Sequence, residues 1–292
     1  MASPGKTAET NRPGLAPGLY FVATPIGNAR DITLRALDIL AEADVLVAED
    51  TRSLRRLMEI HGVALGGRRV LAHHDHNEVG SLPGILAALG DGKSVAYASE
   101  AGTPLVSDPG YPLGRAAAKA GHPVIAAPGA SAALAALTVS GLASDCFVFA
   151  GFPPTKSGAR KQFLKKLADV PGTLILFESP KRLSGLLTEA ADVLGGAREA
   201  AVCRELTKKF EEVTRGPLDA LADAVAERKV KGEIVVCIAR GERRVTDDEV
   251  EEALRDALQT QRIKDAAATV SEALGLSKRD VYQRALRMKD GD

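Results

Sequence analysis

Short apolar runs alternate with longer helical stretches along most of this chain, and this alternation limits the fold more than any other feature. From Leu19 onward, runs rich in β-branched residues are followed by Ala/Leu-rich segments with helical periodicity. The runs are almost continuously apolar, which is typical of parallel strands covered by helices on both faces. The pattern therefore predicts an α/β fold built from βαβ units.

The alternation also predicts how the chain divides. Residues 1–17 are polar, rich in Pro and Gly, and lack an apolar segment, so they are expected to form a disordered tail and not a signal peptide. Two α/β domains are expected at 18–130 and 131–244. The composition then becomes charged and helical, which predicts a small helical appendage at 245–292. The expected strands lie near Leu19–Ala23, Val45–Ala48, Val70–Ala72, Ser94–Ala98, Val124–Ala126, Phe147–Ala150, Thr173–Phe177, Ala200–Cys203 and Ile234–Ala239.

Charge and cysteine content exclude several classes of protein. The 38 Lys and Arg residues balance 38 Asp and Glu residues, so any attraction to nucleic acid must be local. No apolar run approaches the roughly 20 residues of a membrane span, and a cytoplasmic protein is expected.

The cysteines Cys146, Cys203 and Cys237 are too far apart for a metal-binding CxxC pair. They lie in apolar strand-like runs, and we expect buried, reduced thiols.

Four Gly-rich or polar turns follow expected strands, where α/β proteins bind ligands. They are Thr24–Asn28, Ser99–Pro112, Pro128–Ser131 and Phe177–Arg182. Ser99–Pro112 is long for a turn in a compact core, which favours a functional loop over an ordinary surface loop. In the other turns, Ser131 has two possible roles, helix cap or ligand contact, and Glu178 could simply stabilise a helix N-terminus.

Two clusters of polar side chains could carry chemistry. Ala72–Glu78 contains three of the five histidines beside two carboxylates. Because these residues are consecutive, their side chains point in different directions, and no metal site is expected. Contact with substrate and simple solvation both remain open for this segment. Ala48–Arg52 ends a strand in two carboxylates and an Arg, which helix capping explains only in part.

Two segments are locally basic. Pro154–Leu167 contains five basic residues and no acidic one, a composition that binds phosphates or forms a solvated helix face. Gln259–Lys289 contains seven basic residues against three acidic ones. Within it, a helix, a Gly-containing turn and a second helix capped by Ser277 have the layout of a helix-turn-helix, whose second helix often meets nucleic acid.

The order of these motifs resembles one family. The segments LYFVATPIGN, ITLRALDIL, AEDTR, HDHNE, SEAGTPLVSDPG, PGAS, FESPKR, RELTKKFEE and KGEIVV resemble the 16S rRNA (cytidine-2′-O)-methyltransferases, a branch of the tetrapyrrole-methylase superfamily. The resemblance covers about residues 18–240, and the helical tail matches the family's C-terminal appendage. Glu100 stands where the family more often has Asp, and Ala130 where it more often has Pro.

The resemblance implies a fold and an activity. The fold has a parallel-sheet first domain, a mixed-sheet second domain and the helical appendage, and S-adenosylmethionine binds in the cleft between the two domains of a homodimer. The substrate would be a decoding-centre cytidine, number 1402 in the usual bacterial numbering, of 16S rRNA in the assembled 30S subunit. By motif, the cofactor-binding residues would be Pro25, Ser99, Glu100, Ala101, Gly102, Thr103, Ser131, Phe177, Glu178, Arg204, Glu205 and Leu206.

Methyl transfer to a ribose hydroxyl needs an in-line approach and loss of the hydroxyl proton. The candidate bases are Glu100, Asp108, His74, His76, Glu178 and Glu205, and Glu100 is expected first because its loop should lie at the cleft. The residues expected to bind RNA phosphates are Lys156, Arg160, Lys161, Lys208, Lys209, Lys278 and Arg279. Two alternatives remain: a corrinoid or porphyrinogen methylase of the same superfamily, and a non-catalytic RNA-binding protein that kept the fold.

Overall fold

The computed structural model describes residues 14–74, 78–241 and 247–290. It divides into two compact units, Met1–Gly241 and Glu242–Asp292. The expected disordered tail lies outside the described residues except for its last four positions. His76 and the expected boundary at 244 also lie outside them.

A parallel five-stranded sheet forms the first half of the larger unit. Its strands are β1 (Gly18–Val22), β2 (Val45–Ala48), β3 (Val70–Ala72), β4 (Ser94–Ala98) and β5 (Val124–Ala127). They lie in the order β3-β2-β4-β1-β5, and every neighbouring pair is parallel, as the apolar runs predicted. The connecting helices are α1 (Leu34–Glu42), α2 (Thr51–Ile60), α3 (Glu78–Gly90) and α4 (Tyr111–Lys119).

Side-chain caps determine where the helices begin in this half, and the helices pack against both faces of the sheet. Thr33 caps α1 by accepting a hydrogen bond from the Ala36 N–H, and Asp50 caps α2 through the Arg52 N–H. Helices α1 and α2 bury side chains such as Leu40 against one face. Helices α3 and α4 bury side chains such as Ile85 against the other. The β4 strand is buried along its whole length as a result.

A mixed five-stranded sheet forms the second half. After α5 (Ala132–Ser140) the elements are β6 (Phe147–Gly151), α6 (Ser157–Leu167), β7 (Thr173–Glu178), α7 (Leu183–Leu194), β8 (Glu199–Arg204), β9 (Glu212–Pro217), α8 (Leu218–Ala226) and β10 (Ile234–Ile238). The strand order is β6-β7-β10-β8-β9, with β6 and β7 parallel and the other pairs antiparallel. Helices α6, α7 and α8 cover one face. Helix α5 covers the other, together with Ile26 from the first half.

The smaller unit consists of α9 (Asp247–Leu258), α10 (Ile263–Leu274) and α11 (Lys278–Asp290). Val250, Leu254, Val270 and Val281 belong to a core of its own. Gly275 ends α10 in the left-handed conformation with φ +66°, which makes the tight turn before α11 possible. The expected helix, turn and helix are therefore present.

One expectation about an individual residue was wrong, and one strand was missed. Cys146 is exposed, because it precedes β6 at the end of a surface turn, whereas Cys203 and Cys237 are buried as expected. The β9 strand was not anticipated from the sequence. Among the described residues, no helix combines the length and apolar character that a bilayer span requires.

Candidate active site

A cavity of about 520 Å³ opens at the carboxyl ends of the first sheet's strands. The first half contributes loops after β1, β2 and β4, including Ile26 and Gly102. The second half contributes the end of β7 and the start of β10, including Phe177 and Val235. The volume lies within the usual range for small-molecule sites, and the position is where open α/β sheets bind ligands.

The structure brings most of the expected cofactor-binding residues to this cavity. Those that line it are Glu100, Ala101, Gly102, Thr103, Ser131, Phe177, Glu178 and Leu206. Pro25 and Ser99 lie instead at a neighbouring hollow bordered by α2. Arg204 and Glu205 do not line the cavity either, although Leu206 after them does.

The loop that begins at Ser99 is held by hydrogen bonds to both neighbouring segments. The Ser99 hydroxyl is buried and donates to the Gly102 carbonyl at 2.5 Å. Gly102 forms a two-way backbone bridge with Thr24, with N···O distances of 2.9 and 3.0 Å. The Thr103 hydroxyl donates to the Ala130 carbonyl at 3.0 Å. Ser99 therefore shapes the cavity wall without being part of it, and Ser131 caps α5 at the same edge.

Glu178 ends β7 as a buried carboxylate, 3% exposed. Its Oε1 accepts hydrogen bonds from the Ser179 N–H and from the Arg182 guanidinium, both at 2.6 Å. Its Oε2 is buried and has no hydrogen-bond partner among the described residues. Because a buried acceptor without a donor is costly, this oxygen is suited to a donor from a bound molecule.

Arg204 and Glu205 do not reach the cavity wall, because their side chains are engaged in ion pairs beside it. Arg204 lies 2.9 Å from Glu212, and hydrogen bonds from Arg228 and Arg204 lower the Glu212 pKa to about 2. Glu205 accepts from the Glu233 N–H and from Lys208 at 2.9 and 3.0 Å, and these bonds lower its pKa. The side chains expected to bind cofactor here instead hold the loop that carries Leu206.

Backbone strain is concentrated at the cavity. The described non-glycine residues with positive φ are Leu105 (70°), Ser107 (64°), Glu205 (52°) and Thr207 (65°). The first two lie in the Ser99–Pro112 loop and the other two follow β8, so both strained segments border the cavity. Each such conformation costs on the order of 1–3 kcal/mol and persists only where its surroundings enforce it.

Asp108 directly follows the strained residue Ser107 in the Ser99–Pro112 loop, and it lines the cavity. Its Oδ2 is buried and has no hydrogen-bond partner among the described residues. Burial, together with the negative charges of Glu49 and Glu100, raises the Asp108 pKa from 3.8 to about 7. An aspartate that titrates near neutral pH in a cavity is suited to proton transfer.

The other expected bases have different surroundings. Glu100 lines the cavity but is exposed to solvent. His74 is half-buried after β3 and is not part of the cavity wall. The described part of the chain contains no group of three or more His, Cys, Asp or Glu residues that could hold a metal ion.

The expected RNA-binding residues divide into two groups. Lys156, Lys209, Lys278 and Arg279 are exposed, and Lys161 is half-buried and forms an ion pair with Asp192 at 3.1 Å. Arg160 does not fit an RNA-binding surface, because it is 7% exposed and forms a bidentate pair with Glu189 at 2.7 and 2.9 Å. Lys208 is partly buried and lies 3.0 Å from both Glu205 and Glu233, so its charge is already neutralised.

Comparison with solved structures identifies the fold of the larger unit. A cobalt precorrin-4 methyltransferase is 18% identical and superposes with a TM-score of 0.57 over 76% of this chain and 94% of its own. A diphthine synthase is 20% identical, with a TM-score of 0.59 over 82% of this chain and 94% of its own. These similarities confirm the expected two-domain α/β fold.

Comparison with families and curated proteins covers the whole chain. Residues 18–222 match the Tetrapyrrole (Corrin/Porphyrin) Methylases, and residues 244–289 match the RsmI C-terminal HTH domain. A protein of Mesorhizobium japonicum named ribosomal RNA small subunit methyltransferase I is 48% identical, covering 98% of this chain and 97% of its own. Proteins of the same name from Escherichia coli O157:H7 and Mycobacterium tuberculosis are 41% and 42% identical, each covering 93% of this chain and 95% of its own. The motif resemblance is thus confirmed: the chain is a methyltransferase that belongs to the tetrapyrrole methylases and, within them, to the ribosomal RNA small subunit methyltransferase I family.

Proposed function

We propose that the protein transfers a methyl group from S-adenosylmethionine to the ribose 2′-hydroxyl of a decoding-centre cytidine in 16S rRNA. The observation that carries this proposal is the full-length similarity to proteins named ribosomal RNA small subunit methyltransferase I, which includes the helical unit as well as the cavity. The small ribosomal subunit is the proposed substrate, a homodimer is the proposed active form, and the cytoplasm is the proposed site of action.

The cavity has the properties that S-adenosylmethionine requires. When bound, the cofactor supplies a methyl group made electrophilic by a sulfonium centre. Ile26, Phe177 and Val235 provide apolar walls for flat or aliphatic groups. The buried carboxylate of Glu178 provides an acceptor for a hydrogen-bond donor and negative charge for a cation. The residues present therefore fit this cofactor.

The chain contributes chiefly by positioning. A displacement of this kind gains most of its rate from holding the two reacting atoms in line, and the hydrogen-bonded Ser99–Thr103 loop provides a rigid wall. The bridge between Thr24 and Gly102 keeps that loop against the first strand.

RNA would be bound by exposed cations outside the cavity. Lys156, Lys161 and Lys209 on the larger unit, with Lys278 and Arg279 on the helical unit, are the proposed phosphate contacts. Arg160 and Lys208 are left out because each is held by a carboxylate in an ion pair that is largely shielded from solvent, whereas the pair between Lys161 and Asp192 is open to solvent. An enzyme that acts on a corrinoid or porphyrinogen has no need of the helical unit. Its presence therefore favours an RNA substrate over a small molecule.

The test is transfer of labelled methyl from S-adenosylmethionine to 30S subunits that lack the modification, followed by nuclease digestion and mass analysis of the nucleosides. We expect labelled 2′-O-methylcytidine from one position in the decoding centre. A porphyrinogen or corrinoid substrate offered in parallel should remain unlabelled. Label in the macrocycle, or none in RNA while the cofactor still binds, would contradict the proposal.

A further inference from the structure

The carboxylates around the cavity differ in how far they are already engaged. Glu178 receives two hydrogen bonds on one oxygen. Glu233 is paired with Lys208 and is largely exposed, and Glu100 is exposed. Asp108 is the half-buried carboxylate of this cavity that makes no hydrogen bond or ion pair with any described residue. It is therefore available to a bound substrate.

The backbone around Asp108 is held firmly in place. The Tyr97 hydroxyl donates to the Pro109 carbonyl at 3.1 Å, immediately after Asp108. Gly110 packs against the Tyr97 ring, where an added Cβ would lie 3.3 Å from it. Ser107, just before Asp108, is held at φ 64°. A carboxylate carried by a backbone held in this way, with a buried oxygen that lacks a partner, is placed to meet a molecule that enters the cavity.

We propose that Asp108 is the general base of the methyl transfer and accepts the proton of the ribose 2′-hydroxyl, an inference that rests on the proposed function. The 2′-oxygen forms a bond to the methyl carbon, and the bond between that carbon and the sulfonium sulfur breaks. Sulfur keeps the bonding electron pair and becomes a neutral thioether. The hydroxyl proton passes to an Asp108 carboxylate oxygen and then to solvent.

The electrostatic surroundings suit this role. Glu49 after β2 and Glu100 after β4 are the charged groups that act on Asp108, and with burial they raise its pKa to about 7. A base is most effective when its pKa lies near the working pH, because it is then both ionised and basic. Glu100, expected first from the sequence, thereby acts on the reaction by raising the basicity of Asp108.

Asp108→Asn tests the proposal, with Asp223→Asn as the matched control. Asp223 is an exposed residue of α8 outside the cavity. In Asp108→Asn we expect kcat for 2′-O-methylation to fall by about 100-fold or more, the range of general-base contributions. The Kd for S-adenosylmethionine, measured by calorimetry, should change by less than about threefold, because the base acts on the RNA hydroxyl. Asp223→Asn should match the wild-type protein in both measurements.

A second readout does not depend on turnover. In protein labelled with ¹³C at aspartate carboxyl carbons, one resonance should titrate near pH 7 in the wild-type and Asp223→Asn proteins. That resonance should be missing in Asp108→Asn. The wild-type kcat should rise with pH through the same region, because only the ionised carboxylate accepts a proton.

Three results would overturn the assignment: a smaller loss of kcat, a parallel loss of cofactor affinity, or titration of Asp108 near its ordinary value. The parallel loss would make Asp108 a cofactor ligand. These failures are distinct from failure of the proposed function, in which the wild-type protein itself yields no 2′-O-methylcytidine.

Discussion

Arg160 illustrates why a basic segment does not by itself define an RNA-binding surface. It lies in the Pro154–Leu167 segment, whose sequence carries no acidic residue. In α6 it shares a face with Leu164, one turn later, and both are buried against α7. Its partner Glu189 lies on α7, and the hydrogen bonds from Arg160 lower the Glu189 pKa. The residue therefore joins two helices, while its neighbour Lys161 remains exposed.

Arg160→Met and Lys161→Met should separate these two roles. Loss of Arg160 leaves Glu189 buried without a counter-charge, so we expect the free energy of unfolding to fall by about 3–5 kcal/mol. Loss of the exposed Lys161 pair should cost no more than about 0.5 kcal/mol. Urea denaturation at pH 7 measures both values. The opposite outcome would be equal stability of the two variants together with a loss of RNA affinity in Arg160→Met alone. It would show that Arg160 belongs to the RNA-binding surface.

At the scale of elements, the positions of buried strands were predictable from the sequence. The edge strand that pairs with β8 was not. The central strands of the first sheet, β1, β2 and β4, are continuous apolar runs, and their positions agree with the prediction because burial on both faces leaves a strong local signal. The β9 strand, Glu212–Pro217, is polar and ends in Gly and Pro. It pairs only with β8 at the edge of its sheet, which allows such a sequence.

For the site, the location of the cavity was predictable from the sequence, and the contacts of individual side chains were not. Gly-rich turns after strands indicated the cavity correctly, because parallel strands end at one edge. The burial of Asp108 and the hydrogen bond from the Glu233 N–H to Glu205 depend on loops that fold back across the chain. Gly232, for example, approaches Glu205 from 27 positions away, and its φ is +97°. No local pattern records such contacts.

Gly27 connects the loop after β1 to the loop after β8. A Cβ at Gly27 would lie 2.5 Å from Lys208 Cγ and 2.7 Å from Thr207 Oγ1. The next residue, Asn28, donates its N–H to the same Thr207 hydroxyl at 3.0 Å. Lys208 is held by two ion pairs and has little room to move. These contacts leave no room for a side chain at position 27.

Gly27→Ala should therefore displace the loop that carries Leu206 to the cavity. We expect a loss of about 1–3 kcal/mol in the free energy of unfolding, typical of overpacking, and weaker binding of S-adenosylmethionine. Gly84→Ala is the matched control, because Gly84 is exposed in α3 with nothing within 4 Å of its added Cβ. Since Ala is the better helix former, that variant should gain up to about 1 kcal/mol. Unchanged calorimetric affinity in Gly27→Ala would show that the two loops move independently.

At the scale of the whole molecule, zero net charge means that RNA binding must come from local patches. Lys278 and Arg279 occupy the first turn of α11 in the helical unit. The helix dipole disfavours cations at that end, so these side chains do not serve helix stability. Their position, at the start of the second helix of a helix-turn-helix, is where such motifs meet nucleic acid. The proposed binding of RNA phosphates accounts for both facts.

Combined replacement of Lys278 and Arg279 by Ala in the full chain tests this role. Each lost phosphate contact should reduce the steepness of the log Kd against log salt plot by about 0.7–0.9, so a decrease of up to roughly 2 is expected for small-subunit RNA. Affinity for S-adenosylmethionine should not change, and helix stability should rise slightly. Arg255→Ala on α9, an exposed cation outside the helix-turn-helix, should leave the steepness as in wild type. If the double variant binds RNA with unaltered salt dependence, the helical unit must recognise RNA through other residues or serve another purpose.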